Sequence, residues 1–237
     1  MSQPNAAASN EDFEFAALAE AKNYRRALLR EFSLFLRGDV IEIGAGIGQM
    51  TAELSAIAAI RRLLPIEPSA EHCAKHRENH PEFPALEGYI DDVDKATAWD
   101  AIFSVNVLEH IEHDREELCK YAALLREKRG TLCLFVPARP EIYAPIDKDF
   151  GHFRRYTKAD LRQKLAAAGF EIARLDYFNF VGYFAWWLNF CLLKKRSFEV
   201  DKVRLYDRGI FPMVHWLESH ILRPPLGQSL LAIARPL

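Results

Sequence analysis

Short runs of consecutive apolar residues alternate along this chain with longer stretches in which apolar positions return every three or four residues. Val40-Ile41-Glu42-Ile43 and residues 62–66, 84–88, 101–105 and 131–136 are runs of the first kind and read as buried strands. Residues 49–59, 69–79 and 114–126 carry the helical period between them. In the last of these, Leu118, Tyr121, Ala122 and Leu125 share one side, and Lys128, Arg129 and Gly130 follow as a helix C-terminus would demand. A further helix is expected over 11–37, with Leu18, Leu28, Leu29, Phe32, Phe35 and Leu36 on its apolar face, ended by Gly38 and Asp39. Strand and helix alternating at this pace imply βαβ units and a mostly parallel sheet covered on both faces. Ligands on such sheets bind beyond the carboxyl ends of the strands. The residues that follow each strand are therefore where chemistry is expected.

Residues 137–156 have no clear period and make a connection longer than usual, of the kind that is commonly functional. Thr157 with Asp160 then opens a helix as a capping-box variant, running to Gly169. A strand over 171–175, an aromatic segment over 178–193, a charged stretch and a final apolar run over 229–234 complete the chain, the last placed to close the sheet. There is no internal repeat. The reading is a loose tail over 1–10 and one domain over 11–237, with 137–157 and 178–225 capping the ligand side.

Composition narrows the partners. A length of 237 residues, 50% hydrophobic and 27% charged, suits one globular α/β core. The net charge of -2 provides no field for a polyanion, so nucleic acid is not expected as a partner. Cys73, Cys119, Cys133 and Cys191 are scattered without a C-x-x-C pair, which fits a reducing cytoplasm, and Cys133 reads as a small core residue. The first ten residues lack the basic start and apolar core of a secretory signal. The 178–193 segment, broken by Asn179, Gly182 and Asn189, is shorter than the roughly 20 residues that span a bilayer.

The strongest chemical signal is Glu42-Ile43-Gly44-Ala45-Gly46-Ile47-Gly48 at a strand-to-helix turn. Alternate glycines let the backbone bend sharply and approach a ligand, with Gln49 opening the helix that follows. A dinucleotide fold spaces its glycines G-x-G-x-x-G for a pyrophosphate. Here the third glycine comes one residue early, and the acid before the bend would repel a pyrophosphate but suit a ligand bearing an ammonium and a sulfonium. The second strand ends in Glu67, which could accept hydrogen bonds from both hydroxyls of a ribose. The third ends at Gly88, before Asp91 and Asp92, either of which could take an adenine amino group. The fourth leads into Asn106-Val107-Leu108-Glu109-His110.

With these residues the chain resembles the class I S-adenosylmethionine-dependent methyltransferases, on 40–48, Glu67 and Asn106-Val107-Leu108-Glu109-His110-Ile111. The last run is similar to the branch holding the ubiquinone-pathway O-methyltransferases and many small-molecule methylases. The resemblance covers roughly residues 20–175 and the closing strand. It implies a Rossmann-like, doubly wound sheet of seven strands, mostly parallel with the last antiparallel, and S-adenosyl-L-methionine as cofactor. It also implies that Gly44, Gly46 and Gly48 line the methionine end, that Glu67 holds the ribose, and that Asp91 or Asp92 lies near adenine. Many relatives carry an acid directly after the glycine that ends strand three, where this chain has Tyr89.

Methyl transfer from a sulfonium needs an acceptor held in line and, for oxygen or nitrogen, a base. His110 follows the fourth strand and is the first candidate. His152-Phe153-Arg154-Arg155-Tyr156 lies in the long loop: His152 or Tyr156 could deprotonate an acceptor, and Arg154 with Arg155 could clamp an anion. The other reading pins that loop to acids such as Asp147 and Asp149. Tyr24 on the first helix is a further substrate contact. His72, His76 and His80 share a helical face, but no carboxylate pattern accompanies them, so a solvated face is expected there and no metal site. The aromatic segment, flanked by Lys194-Lys195-Arg196, is open to three readings besides core packing: a lid over a hydrophobic acceptor, a dimer surface, or peripheral lipid contact through 178–196. The leading reading is methyl transfer to an oxygen or nitrogen of a small molecule, anionic or hydrophobic. The alternative is a non-catalytic module that binds the cofactor and a partner or membrane.

Overall fold

The computed structural model describes residues 19–197, 199–220 and 224–237. Seven strands form one sheet: β1 (Gly38–Ile43), β2 (Ile60–Glu67), β3 (Leu86–Glu87), β4 (Ala101–Val105), β5 (Thr131–Pro137), β6 (Phe170–Phe178) and β7 (Ser229–Pro236). Their order is β3-β2-β1-β4-β5-β7-β6. The pairings from β3 through β5 are parallel, whereas β7 runs antiparallel to both β5 and β6. This is the doubly wound arrangement with one antiparallel strand that the family resemblance implied. The strand order reverses between β1 and β4, so the ligand edge lies there.

Alternation along each strand builds two apolar layers. One face sends Ile41, Ile102, Leu132 and Leu134 against Leu118, Tyr121 and Leu125 of α4 (Asp114–Leu125) and Leu161 and Leu165 of α6 (Lys158–Ala167). The other sends Val40, Phe103, Cys133 and Phe135 against Leu28, Leu29 and Phe32 of α1 (Lys22–Phe32) and Leu54 of α2 (Gln49–Ser55). Each such side chain contributes roughly 1.5–3 kcal/mol when fully buried. All seven positions of β5 are buried, because helices cover both of its faces.

Several elements differ from their sequence reading. The helix expected over 49–59 ends at Ser55, because residues 56–59 turn so that Gly38 can donate to the Ala59 carbonyl (2.8 Å) and start the β1–β2 pairing. The 137–156 stretch contains a 3-10 turn (Pro140–Ile142) and α5 (Pro145–Asp149), each opened by a proline at its first position. The aromatic segment folds as α7 (Phe180–Trp186) running into a π-helical turn (Trp187–Leu192). Beyond it on the cap come α8 (Val200–Leu205) and α9 (Phe211–His220), joined by a second π turn (Tyr206–Ile210). Between β2 and β3 runs α3 (Ala70–Asn79), capped by the Ser69 hydroxyl. Thr157 accepts from the Asp160 amide (3.1 Å), as its sequence predicted. The N-terminal tail and the start of the first expected helix lie outside the described residues.

Among the described residues, three of the five non-glycine residues with left-handed backbone fall on the ligand edge, while Arg129 precedes β5 and Lys194 lies in the cap. Asn106 (φ 52°), Arg139 (φ 70°) and Asn179 (φ 63°) follow β4, β5 and β6. Such conformations are held only where surrounding structure dictates them, and they concentrate at functional sites.

Candidate functional site

Gly44, Gly46 and Gly48 all have left-handed backbone (φ 71°, 54° and 93°), which bends the chain directly after β1. The bend is fixed to β2: the Gly44 and Ala45 amides both donate to the Ile66 carbonyl at 2.9 Å. It also touches the acid that ends β2, since the Gly46 amide donates to Glu67 Oε2 (2.9 Å). The Ser69 amide donates to the other oxygen (3.0 Å), and His72 Nδ1 lies 3.4 Å from it. Burial alone would raise the Glu67 carboxyl, but His72 and these two amides hold it below the usual range, so it is an ionised acceptor. A carboxylate offers about four lone-pair sites, which leaves acceptor capacity beyond the two amides. The glycine bend and Glu67 thus form one surface, as the sequence reading required. A Cβ on Gly44 would stand 2.4 Å from Val107 Cγ2, so this bend also meets the segment after β4.

Glu42 does not play the part its position suggested. It is buried, the Thr51 hydroxyl donates to its Oε2 (2.6 Å), and burial pushes its carboxyl up to about 8. It therefore carries a proton near neutral pH and presents no negative charge to a ligand. Thr51 also lies 2.9 Å from Nε2 of the fully buried His76. His80 sits against Gly48, its Cδ2 2.3 Å from where a Cβ there would stand. The histidine face expected in solvent instead packs on the glycine bend and the neighbouring acids.

Asp91 pairs with Lys120 of α4, and Asp92 accepts from the Tyr89 amide (2.8 Å), closing its own turn (Ile90–Asp92). Neither lines the large cavity described next.

Beyond the Asn106–Val107 step the ligand edge opens into a cavity of about 390 Å³. Its polar wall holds Asn106, Glu109, His152 and Arg155, and its apolar wall Tyr24, Phe150, Trp186 and Phe190. Phe153 donates its amide to the Glu109 carbonyl (2.8 Å), which fastens the long loop to the turn after β4. His152 and Glu109, 43 positions apart in sequence, thereby come together, with Nε2 of the one 3.9 Å from Oε1 of the other. His152 Nδ1 bonds Asp147 (3.0 Å), and Asp147 also accepts from Arg155 Nε (2.8 Å) and the Ala144 amide (2.8 Å). Burial would raise Asp147, yet His152 and Arg155 hold it ionised, below its ordinary range. The His110 ring stands edge-on to His152 at 4.7 Å between centroids. The protein packed around it, then His152, lower His110, which stays neutral although part of the residue reaches solvent.

The structure separates the remaining loop candidates. Arg155 lines the cavity but is committed to Asp147 and the Ala138 carbonyl, and it stacks over Trp186 (4.3 Å). Arg154 points away, to Asp114 (2.7 Å) and the Glu112 carbonyl (2.8 Å). Tyr156 is fully buried, its hydroxyl donating to Asp114 (2.9 Å), and burial with the Asp114 charge raises it far above a tyrosine's normal range. Tyr156 therefore cannot serve as a base, and the loop is pinned by acids much as its second reading had it. Tyr24 does line the cavity.

Sequence reasoning missed Asn179 and Asp207. Asn179 accepts from the Gly182 amide (2.9 Å) and the Tyr206 hydroxyl (2.7 Å) and donates to Gln228 (2.9 Å), joining α7, the cap and the entry to β7. Asp207 accepts from the amides of Asn23 (3.0 Å) and Tyr24 (2.8 Å) and so caps α1 from 184 and 183 positions away. The residue between strand end and aromatic run was the only local hint of the first, and nothing local marks the second.

Residues 15–175 match the family model described as "Methyltransferase domain". No curated protein is similar enough to match the chain. Among solved structures, a chain from the complex containing the Haloferax volcanii Trm112 methyltransferase activator superposes with a TM-score of 0.62 at 16% identity, covering 100% of this chain and 99% of that one. The S-adenosylmethionine dependent methyltransferase from Mesorhizobium loti gives 0.54 at 15% identity, covering 90% and 95%. The magnesium protoporphyrin IX methyltransferase from Synechocystis PCC 6803, solved with bound S-adenosylmethionine, gives 0.53 at 15% identity, covering 100% and 86%.

Proposed function

The chain belongs to the methyltransferase-domain family, whose cofactor is S-adenosylmethionine, and from that premise we propose that it methylates an oxygen or nitrogen of a small molecule. The carrying observation is the contact of Gly46 with Glu67 (2.9 Å), in a bend whose Gly44 meets Val107, next to Asn106 of the cavity wall. The donor set suits the cofactor. Glu67 is ionised and retains acceptor capacity for a ribose diol, and the three glycines keep Cβ atoms out of the bend. The bound cofactor supplies the electrophilic methyl group. This chain's residues position the acceptor: Tyr24, Trp186 and Phe190 take its apolar body, and Asn106, Glu109 and His152 meet its polar end. His110 packs edge-on against His152 (4.7 Å between ring centroids) and is not itself in the cavity wall. A cavity of about 390 Å³ matches a small molecule rather than a polymer. The net charge of -2 supports the same choice.

Lipid contact is a second element of this reading. Trp187, Leu188, Leu192 and Leu193 are exposed on the outer side of the segment whose inner side forms the cavity wall, beside Lys194. Among the described residues no helix is long and apolar enough to cross a membrane. The test is incubation with methyl-labelled S-adenosylmethionine and a panel of phenols, carboxylic acids and amines with apolar bodies. Label in the oxygen or nitrogen of one panel member is expected; label passing only to RNA or protein refutes the assignment.

A further inference from the structure

We propose that Glu109, His110 and His152 bind a divalent first-row transition ion, with Zn²⁺ the ion of choice, at the polar wall of the cavity. One ligand atom from each residue lies within 4.8 Å of the other two. Zinc with bonds of 2.0–2.1 Å in tetrahedral geometry separates its ligand atoms by about 3.3 Å, so the three groups must draw in by roughly 1.5 Å at most. Side-chain torsions supply that, and His110, partly in solvent, has room for it.

The second observation is the state of His152. Its side chain is 7% exposed, and its Nε2 is buried with no hydrogen-bond partner. Asp147, which already accepts from Arg155 Nε and the Ala144 amide, also accepts from Nδ1, which fixes the tautomer and leaves the lone pair on Nε2, 3.9 Å from Glu109 Oε1. A carboxylate behind a histidine whose outer nitrogen lacks a partner is the arrangement that orients metal-ligating histidines. Asp147 acts here as a positioning residue, itself held by Arg155 and the Ala144 amide.

The donor set selects the ion. Mg²⁺ and Ca²⁺ prefer oxygen donors throughout, whereas two imidazoles and one carboxylate suit zinc and its first-row neighbours. Three protein ligands leave a coordination position open, and Glu109 and His152 both line the cavity, so that position faces the acceptor space. An ion there lowers the proton affinity of a coordinated oxygen, which suits a hydroxyl acceptor. His72, His76 and His80, by contrast, share one helical face with no carboxylate pattern beside them. Glu109, His110 and His152 come from the turn after β4 and from a loop 42 positions beyond His110.

The proposal is tested on the full chain, stripped with a chelator and equilibrated with Zn²⁺ alone, then analysed by equilibrium dialysis and elemental analysis. One ion per chain is expected, with Mg²⁺ failing to compete. His110→Ala, at a partly exposed position, and His152→Gln should each weaken binding at least about tenfold with far-ultraviolet circular dichroism unchanged. No zinc bound, or zinc held equally well by both variants, overturns the site. S-adenosylhomocysteine titrated into the metal-free protein reports on the cofactor reading separately, so the two can fail independently.

Discussion

Replacing Glu67 with glutamine isolates the charge of the residue on which cofactor binding turns. In the free protein the carboxylate accepts from the Gly46 and Ser69 amides at 2.9 and 3.0 Å, and its lowered pKa keeps it ionised at neutral pH. Hydrogen bonds to a charged acceptor contribute about 1.5–3 kcal/mol each, against about 0.5–1.5 for neutral pairs. For two ribose hydroxyls the lost charge assistance is therefore about 2–3 kcal/mol, or roughly 30- to 150-fold in Kd. The glutamine NH₂ must also face the Gly46 or the Ser69 amide, donor against donor, which loosens the bend and adds to the loss. Calorimetric titration with S-adenosylhomocysteine measures the change, and a circular dichroism melt verifies that the fold persists. A Kd within threefold of the parent, in a folded variant, would refute the role given to Glu67.

Other expectations follow from the same geometry. Glu42 titrates at about 8 in the folded chain, above its unfolded value of about 4.3, so the fold holds a proton that the unfolded chain releases. Stability should then fall as pH rises from about 4.5 to 8 and level off above that; Glu42→Gln cannot titrate, so its melting temperature should gain on the parent across this window, and a constant gap would contradict the burial argument. Gly44→Ala combines left-handed backbone (φ 71°) with a Cβ 2.4 Å from Val107 and should cost about 2–4 kcal/mol in urea denaturation; a loss under about 0.5 would mean the bend is not constrained. Trp187→Ser with Leu192→Ser, at residues 45% and 57% exposed, should leave stability within about 1 kcal/mol yet reduce flotation with anionic vesicles. Undiminished flotation would remove the lipid-contact reading.

The sheet was legible because β1, β4 and β5 are short, largely apolar runs, a pattern that strands buried on both faces need. The pairing of the glycine bend with Glu67 was legible too, since parallel strands bring their ends to one edge. Protonation states were not. Glu42 reads as a charge until Thr51 and the layer around it remove the solvent. The histidines of α3 carry no sign in their spacing that the helix lies across the glycine bend. Tyr156 sits in a polar motif of the long loop, yet an isolated bridge between Ala138, just past β5, and Tyr156 accompanies its turn inward to Asp114. Asp207 and Asn179 act on partners tens to nearly two hundred positions away, and composition has no access to such distances.

The placement of β7 has a bearing on how the molecule assembles. Its register joins Cys133 to Ile233, a hundred positions apart, and among the described residues β6 pairs with no strand but β7. Contacts of such long range are slow to form compared with those of adjacent βαβ units. The half bearing the glycine bend can thus mature early, while the cavity, which needs Gln228 and Ser229 at the entry to β7, acquires its shape in the last docking event. Pulsed hydrogen exchange should find β1, β2 and β4 amides protected before those of β6 and β7, which would make cofactor retention a property of an intermediate and acceptor selection one of the finished fold.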